Sequence, residues 1–280
     1  MKGTITLAAP AKINLFLKVI GRRRDGYHNI VTIFEKIGLY DTVTLKKAPE
    51  GISLHCDTEG LPHGEGNTAH KAAGLMKKKF GIRSGVHISI KKRIPVAAGL
   101  GGGSSDAASV ISGLNKIWGI NASLEALIAV AAEIGSDVPF FLHDTHFALG
   151  LGRGDKIMPI KTGRKFWHVI AKPSFSISSK EAYDIVRPAR GDRMMPFLLK
   201  GSTPDYFDKI MYNDLEKEII NRYPAIGRLK SLIKSIGGRE SLMSGSGSCV
   251  FTTFNTREEA SGLIEGLKGR DVKVFLARTN

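Results

Sequence analysis

Several runs within the first 91 residues alternate between apolar and polar positions, and this period of two is typical of β-strands. The runs are rich in β-branched and aromatic residues, and a charged break with a glycine at each end, residues 21–26, separates two of them. We therefore predict strands at residues 4–8, 13–20, 30–37, 43–47 and 86–91.

Other stretches of the first half repeat apolar residues at helical spacing. Asn67 can cap a helix that runs to about residue 79, and Ser123 can cap one that ends at Ile134, before Gly135. The apolar side of the first helix consists of Ala69, Ala72, Ala73 and Met76. A further helix is predicted after residue 106, where the repeating residues are Ala107, Val110, Ile111, Leu114 and Trp118.

The second half opens with a strand-like run at residues 166–172, and helical patterns follow at 180–186, 208–222, 225–235 and 257–267. Short strands are predicted near residue 242, at 250–254 and at 272–277. Interleaved strands and helices indicate an α+β fold, and a chain of 280 residues is long enough for two domains. We place the boundary near residue 160, which gives domains at 1–160 and 161–280.

Composition narrows the class of protein. The 41 Lys and Arg residues exceed the 26 Asp and Glu residues by 15, which favours nucleic acid, anionic membranes or phosphorylated small molecules as partners. Cys56 and Cys249 lie far apart, which argues against a disulfide framework and fits a reducing compartment. No apolar run reaches the ~18 residues that span a bilayer, and polar residues interrupt positions 1–21, so we expect no membrane span or signal peptide.

The most informative segment is the glycine loop, residues 94–106, which precedes a predicted helix. Glycines let the backbone approach an anion closely, and the free N–H groups of a helix start attract phosphate. The loop lacks the lysine of a Walker motif, and Ser104 stands where a dinucleotide-binding fingerprint needs glycine. Asp106 and Ala107 exclude a nucleophile elbow. Taken alone, the cluster could still be a flexible turn before a capped helix.

Five segments together resemble the GHMP superfamily of small-molecule kinases. They are residues 10–17, 24–28, 94–108, 135–141 and 243–247. The first, second and fourth are more narrowly similar to the 4-diphosphocytidyl-2-C-methyl-D-erythritol kinases. The resemblance covers nearly the whole chain and implies a two-domain α+β fold. Its N-terminal domain would resemble the second domain of ribosomal protein S5 and carry the ATP-binding loop, and its C-terminal domain would be ferredoxin-like.

The resemblance assigns two catalytic residues. Asp137 would accept the proton of the acceptor hydroxyl as general base, although an Asp between Gly-Ser and Val-Pro could equally be a helix N-cap. Lys12 would offset charge on the transferred phosphoryl group. Because strand side chains alternate, Lys12 and Asn14 should point to the same side.

The resemblance also assigns binding residues. ATP would lie on Pro95, Val96, Ala97, Ala98, Gly99, Leu100, Gly101, Gly102, Gly103, Ser104 and Ser105, with Asn67 and Lys91 on the adenine side. Ser105 is the candidate ligand for Mg²⁺. The acceptor would contact Asn14, Tyr27, His28, Tyr183, Ser246 and Gly247. Phe175 is an alternative to Tyr183, and the loop that contains Ser246 could instead be an ordinary hairpin turn.

The activity implied is ATP-dependent phosphorylation of the 2-hydroxyl of 4-diphosphocytidyl-2-C-methyl-D-erythritol, in non-mevalonate isoprenoid synthesis. ATP and Mg²⁺ are the expected cofactors, and the partner is this small molecule rather than nucleic acid or membrane. We expect a cytoplasmic monomer or homodimer. The alternatives are a GHMP kinase for homoserine, mevalonate or a sugar, a catalytically silent relative, and a basic RNA-binding protein. Against the last, no row of aromatic residues is interleaved with the basic ones.

Overall fold

The structure is a computed structural model that describes residues 3–186 and 211–280. Its strands are β1 (Thr4–Arg22), β2 (His28–Ala48), β3 (Ile52–Cys56), β4 (Gly85–Lys91), β5 (Phe147–Leu151), β6 (Lys156–Ile160), β7 (Trp167–Pro173), β8 (Tyr212–Asn213), β9 (Leu242–Met243), β10 (Val250–Phe254) and β11 (Val272–Arg278). Its helices are α1 (Thr68–Phe80), α2 (Gly102–Ile117), α3 (Leu124–Ile134), α4 (Val138–Leu142), α5 (Ser179–Ile185), α6 (Glu216–Arg222), α7 (Pro224–Gly237) and α8 (Arg257–Leu267). The α+β class predicted from the sequence is confirmed.

The chain forms two compact units that interleave along the sequence. The first unit contains, among the described residues, 3–11, 39–96 and 101–144. The second contains 12–38, 97–100, 145–186 and 211–280. Strands β1 and β2 and the glycine loop therefore each pass from one unit to the other. The division into domains at residue 160 is a different partition and stays a prediction.

The first unit packs helices on a small sheet. The second half of β2 pairs antiparallel with β4, and β4 pairs parallel with β3. Helix α2 approaches this sheet closely at Gly113, where an added Cβ would lie 2.5 Å from the Leu45 side chain and 2.9 Å from that of Leu7. A larger residue at position 113 would have to displace both leucine side chains, so Gly113 favours this close packing of α2.

The second unit combines two sheets. Within it, β2 pairs with β5, β5 pairs with β6, and β8 pairs parallel with β1 through Phe16 and Tyr212. A separate four-stranded antiparallel sheet has the order β11-β7-β10-β9. Apolar residues of α7 and α8, including Leu229, Ile233 and Leu263, are buried in one core with β7 and β10. Cys249 is buried and free in this unit, as Cys56 is in the first.

The predicted helix starts agree with the structure where the capping signal is local. Asn67 accepts a hydrogen bond from the Ala69 N–H at 2.9 Å, and Ser123 accepts one from the Ala126 N–H at 3.3 Å. The predicted apolar side of α1 is buried. Helix α2, in contrast, begins at Gly102, inside the glycine cluster and earlier than predicted.

Several predicted boundaries are wrong. The predicted strands at 4–8 and 13–20 are one strand, β1, and those at 30–37 and 43–47 are one strand, β2, because pairing with neighbouring strands overrides local propensity. The predicted helix at 208–222 begins only at Glu216, since Tyr212–Asn213 pairs with β1. Its residues 208–210 lie outside the described residues. Strands β5 and β6 were not predicted.

Among the residues that the structure describes, no helix combines the length and the apolar character needed to cross a membrane.

Candidate active site

The glycine loop leads directly into the N-terminus of α2. Gly99 and Gly101 have left-handed φ angles of 77° and 69°, so glycine is the residue that fits both positions without strain. Ala97 is also left-handed, at φ 49°. The N–H groups in the first turn of a helix have no acceptor within that helix, and the helix dipole places positive potential there. The start of α2 can therefore bind an anion.

The next two glycines also have side chains of neighbouring residues close to them. A Cβ added to Gly102 would lie 3.0 Å from Ile94 Cγ2 and 3.2 Å from Lys92 Nζ, and one on Gly103 would lie 3.3 Å from Thr68 Oγ1. The Thr68 hydroxyl donates to the Gly103 carbonyl at 2.8 Å, which ties the start of α1 to the start of α2.

Ser105 differs from its neighbours in burial. It is 1% exposed, and its Oγ has no hydrogen-bond partner among the described residues. Buried hydroxyl groups are normally hydrogen-bonded, so an unpartnered one beside an anion-binding helix start fits a phosphate oxygen or a metal ion. Ser104 is half-buried, Pro95 is half-buried, and Val96 is 43% exposed.

The two residues predicted on the adenine side lie in the first unit with this helix start. Asn67 uses its side chain to cap α1, and its Nδ2 donates to the Pro62 carbonyl at 3.0 Å. Lys91 is exposed at the end of β4. The structure thus gives Asn67 a structural task in addition to any contact with a nucleotide.

Lys12 and Asn14 lie together on β1, as the alternation of side chains predicted. Lys12 Nζ donates to Asn14 Oδ1 at 2.6 Å, and Asn14 Nδ2 donates to Thr32 Oγ1 at 2.7 Å. The Thr32 hydroxyl donates onward to the Phe16 carbonyl at 2.7 Å. Lys12, Asn14 and Thr32 are all buried. This chain of hydrogen bonds fixes the amide so that its oxygen faces the ammonium.

The loop at residues 243–248 packs against residues 97–100 and against this pair. The Ser244 hydroxyl donates to the Gly99 carbonyl at 2.9 Å, and the Lys12 N–H donates to the Leu100 carbonyl at 2.9 Å. A Cβ added to Gly245 would lie 3.1 Å from Asn14 Oδ1 and 3.2 Å from Lys12 Nζ. The Cys249 N–H donates to the Ala98 carbonyl at 3.2 Å. The loop is therefore more than a solvent-exposed hairpin turn.

Two side chains in this region carry no signal in the sequence. Asn213 Nδ2 donates to the Met243 carbonyl at 2.7 Å and to the Gly245 carbonyl at 2.8 Å, and so supports the loop from β8. Thr32 orients Asn14 from β2. Both act through contacts between residues distant in sequence, which no local pattern reports.

An aromatic group lies in the second unit. His28 stacks on Tyr183 with ring centroids 5.5 Å apart and an interplanar angle of 24°. Burial, with a smaller contribution from the charge of Arg22, lowers the pKa of His28 below its ordinary value, so the imidazole is neutral near pH 7. Phe175 stacks instead on Tyr223, at 5.5 Å. Tyr183, the residue preferred from the sequence, is thus the one beside His28.

The other predicted acceptor contacts lie in the same unit. Tyr27 is 51% exposed, and the Arg153 guanidinium lies 4.9 Å from its ring centroid. Ser246 is buried, and its hydroxyl lies 3.1 Å from that of Ser179 at the start of α5. Gly247 packs on Met243, since an added Cβ would lie 2.7 Å from its sulfur.

Asp137 belongs to the first unit, where it precedes the short helix α4. It is half-buried and occupies the N-cap position, but its side chain makes no capping hydrogen bond. The general-base role of this carboxylate stays a prediction.

Comparisons with known proteins add the family. The GHMP kinases N terminal domain matches residues 67–145, and the GHMP kinases C terminal domain matches residues 194–272. A 4-diphosphocytidyl-2-C-methyl-D-erythritol kinase of Syntrophotalea carbinolica is 41% identical over 266 residues, which is 94% of either chain. One of the same name from Shouchella clausii is 39% identical over 98% of this chain and 93% of its own.

Solved structures agree with this result. A crystal structure of 4-(cytidine 5'-diphospho)-2C-methyl-D-erythritol kinase aligns with a TM-score of 0.80 and 31% identity over 98% of both chains. Homoserine kinase from Cytophaga hutchinsonii aligns with a TM-score of 0.76 and 17% identity over 100% of this chain and 95% of its own, which shows the shared fold alone. The chain is therefore an ATP-dependent kinase that belongs to the 4-diphosphocytidyl-2-C-methyl-D-erythritol kinase family of the GHMP kinases.

Proposed function

We propose that this enzyme transfers the γ-phosphate of ATP to the 2-hydroxyl of 4-diphosphocytidyl-2-C-methyl-D-erythritol, in non-mevalonate isoprenoid precursor synthesis. The observation that carries the choice of acceptor is the 41% identity to a relative of that name over 94% of the chain. The geometry of the second unit adds support, because a stacked aromatic pair suited to a base belongs to the same unit as Lys12 and Asn14.

Asp137 is the proposed general base. In the transfer, the acceptor oxygen forms a bond to the γ-phosphorus, the bond from that phosphorus to the ADP oxygen breaks, and the hydroxyl proton passes to the carboxylate. Asp137 is half-buried, and an ionised carboxylate is a group that can accept this proton. The proposal requires Asp137, the hydroxyl and the γ-phosphate to come together in the reacting complex.

Lys12 is the proposed electrostatic partner. Phosphoryl transfer is limited by positioning and by the negative charge on the transferred group, so a fixed cation lowers the barrier. The ammonium is held by the Asn14 oxygen at 2.6 Å, and the side chain is only 4% exposed. A cation held in place in this way needs little reorganisation as charge moves during the reaction.

The nucleotide phosphates would lie on the loop from Pro95 to Ser105, where backbone N–H groups donate to them. When Mg²⁺ is bound it neutralises phosphate charge, and the unpartnered Ser105 Oγ suits an oxygen ligand for it. Asn67 and Lys91 would contact the adenine side. Because Asn67 caps α1, a contact through its remaining hydrogen-bonding capacity would also fix the start of that helix.

The cytidine of the acceptor would bind against Tyr27, His28 and Tyr183. A neutral imidazole can accept a hydrogen bond from the cytosine amino group, and the aromatic faces can stack on the base. Ser246 and Gly247 would face the diphosphate, and Asn14 the alcohol. We expect a cytoplasmic monomer or homodimer that acts on small molecules and not on nucleic acid, with domains at 1–160 and 161–280.

A ³¹P NMR assay tests the proposed reaction. Enzyme, ATP and Mg²⁺ are incubated with the cytidyl alcohol, with homoserine or with mevalonate, and kcat/KM is compared. We expect ADP and a new phosphomonoester signal with the cytidyl alcohol, at a kcat/KM at least ~10²-fold above that of the other alcohols, a ratio within reach of site-specific recognition. A preference for homoserine or mevalonate would refute the choice of acceptor.

A further inference from the structure

Three charged side chains that the proposed chemistry does not use are buried together in the first unit. Lys92 Nζ donates to Asp41 Oδ2 and, at 2.7 Å, to Asp106 Oδ2. The side chains of Lys92, Asp41 and Asp106 are 7%, 0% and 5% exposed. We call these three residues the loop cluster.

The loop cluster ties down both ends of the glycine loop. Asp41 Oδ1 accepts hydrogen bonds from the N–H groups of Arg93 at 2.6 Å and Ile94 at 2.8 Å, where the chain enters the loop. Asp106 lies on the first turns of α2, where the chain leaves it. One ammonium therefore connects the two ends of residues 95–105.

The loop cluster is also close to the anion-binding turn itself. A Cβ on Gly102 would lie 3.2 Å from Lys92 Nζ, so the ammonium lies close to the backbone of the first residue of α2. A shift of Lys92 would therefore disturb the backbone of Gly102. That backbone sets the position of the N–H groups in the first turn of α2, which have no acceptor within the helix.

Stability alone gives little reason for such a group. Burial of an ion cluster costs several kcal/mol per ion, and packed apolar residues of similar size often serve stability equally well. The desolvation is nearly complete at Asp106, whose side chain is only 5% exposed. Its Oδ1 is buried with no partner among the described residues. Because burial of the Asp106 carboxylate costs desolvation free energy, we expect this acid to have a role in the site.

We propose that Lys92, Asp41 and Asp106 are positioning residues, which hold the glycine loop in its phosphate-binding shape before the nucleotide arrives. The inference rests on the proposed binding of phosphates to this loop. Less of the binding free energy is lost to ordering when the loop is already in its bound shape. Loss of a hydrogen bond within the loop cluster should therefore weaken nucleotide binding and leave the affinity for the acceptor alcohol unchanged.

The test is calorimetric titration of the full-length variants with ADP, which needs no knowledge of the acceptor. We expect Asp106→Ala to raise the Kd for ADP about 10-fold, the effect of losing one buried charge-assisted hydrogen bond. KM for ATP should rise by a similar factor, and KM for the cytidyl alcohol should not change. Asp106→Asn, whose amide oxygen still accepts from Lys92, should restore Kd to within about 3-fold of wild type. If Asp106→Ala does not fold, Lys92→Gln is titrated instead and should weaken ADP binding in the same way.

Glu35→Ala is the matched control. Glu35 is also a fully buried acid, bonded to His168 at 2.9 Å and to Thr279 at 2.6 Å, but it belongs to the second unit. Its loss should lower Tm and leave the Kd for ADP unchanged. A folded Asp106→Ala that binds ADP like wild type, or equal weakening by Glu35→Ala, would overturn the positioning role. Failure of wild type to bind ADP would instead refute the proposed phosphate site.

Discussion

The contact between Gly99 and Ser244 tests how closely the glycine loop must pack against the loop at residues 243–248. A Cβ added to Gly99 would lie 1.9 Å from the Ser244 carbonyl oxygen, whereas ordinary contacts begin at 3.4 Å. One of the two segments must therefore move by about 1.5 Å in Gly99→Ala. A misplacement of about 1 Å in a catalytic site can cost about 10²-fold in rate. We expect Gly99→Ala to lower kcat/KM for ATP about 10²-fold or more.

Alanine at position 99 would also be strained by the left-handed backbone, so a control variant must separate this strain from the overlap. Gly238 ends α7 with a φ of 63° and nothing within 4 Å of an added Cβ, so Gly238→Ala has the conformational strain without the overlap. The strain should cost each variant roughly 1–2 kcal/mol in the free energy of unfolding, measured with urea, and the overlap should add to this loss in Gly99→Ala. Only Gly99→Ala should lose activity in a coupled ADP-release assay. If its kcat/KM stays within about 3-fold of the control, close packing of the two loops is not what positions the phosphates.

Two further predictions concern the cytidine side of the site. Tyr183→Ala should raise KM for the cytidyl alcohol about 10-fold through the loss of about 1–3 kcal/mol of stacking, with KM for ATP unchanged; equal effects on both would leave Tyr183 without a specific role. KM for the cytidyl alcohol should be flat from pH 8 down through the ordinary histidine pKa and rise only on further acidification, because the lowered pKa of His28 keeps the ring neutral in that range. The same shift means that the folded protein binds fewer protons than the unfolded chain between the lowered pKa and the ordinary value. The contribution of His28 to stability therefore increases as pH rises through that window and is lost below it. His28→Gln should abolish the acid rise in KM, and an unchanged profile would contradict the assignment.

The sequence predicted those parts of the fold that depend on neighbouring residues. The caps at Asn67 and Ser123 and the buried side of α1 follow from side chains within one turn of the helix start or from one helical repeat. The shared side of Lys12 and Asn14 follows from strand alternation and is confirmed by their 2.6 Å hydrogen bond. These features need no knowledge of distant contacts.

The features that the sequence missed all depend on distant contacts. The length of β1 and β2 is set by pairing with other strands, and α2 begins at Gly102, where an added Cβ would lie 3.0 Å from Ile94 Cγ2. Asn213 supports the loop at 243–248 across some 30 residues of sequence, and Lys92 bridges acids that lie 51 and 14 residues away. No periodicity or spacing rule reports such pairs, because the partners meet only in the folded chain.

The turnover of Asp137→Asn, measured at saturating ATP, Mg²⁺ and cytidyl alcohol, tests the proposed chemistry most directly. The amide keeps the shape of the carboxylate but cannot accept the hydroxyl proton, so kcat should fall by at least about 10²-fold while the Kd for ADP stays unchanged. Asp144→Asn, which alters an exposed acid of the same unit, should keep the kcat of wild type. An Asp137→Asn enzyme that turns over within about 3-fold of wild type would contradict general-base catalysis by this residue.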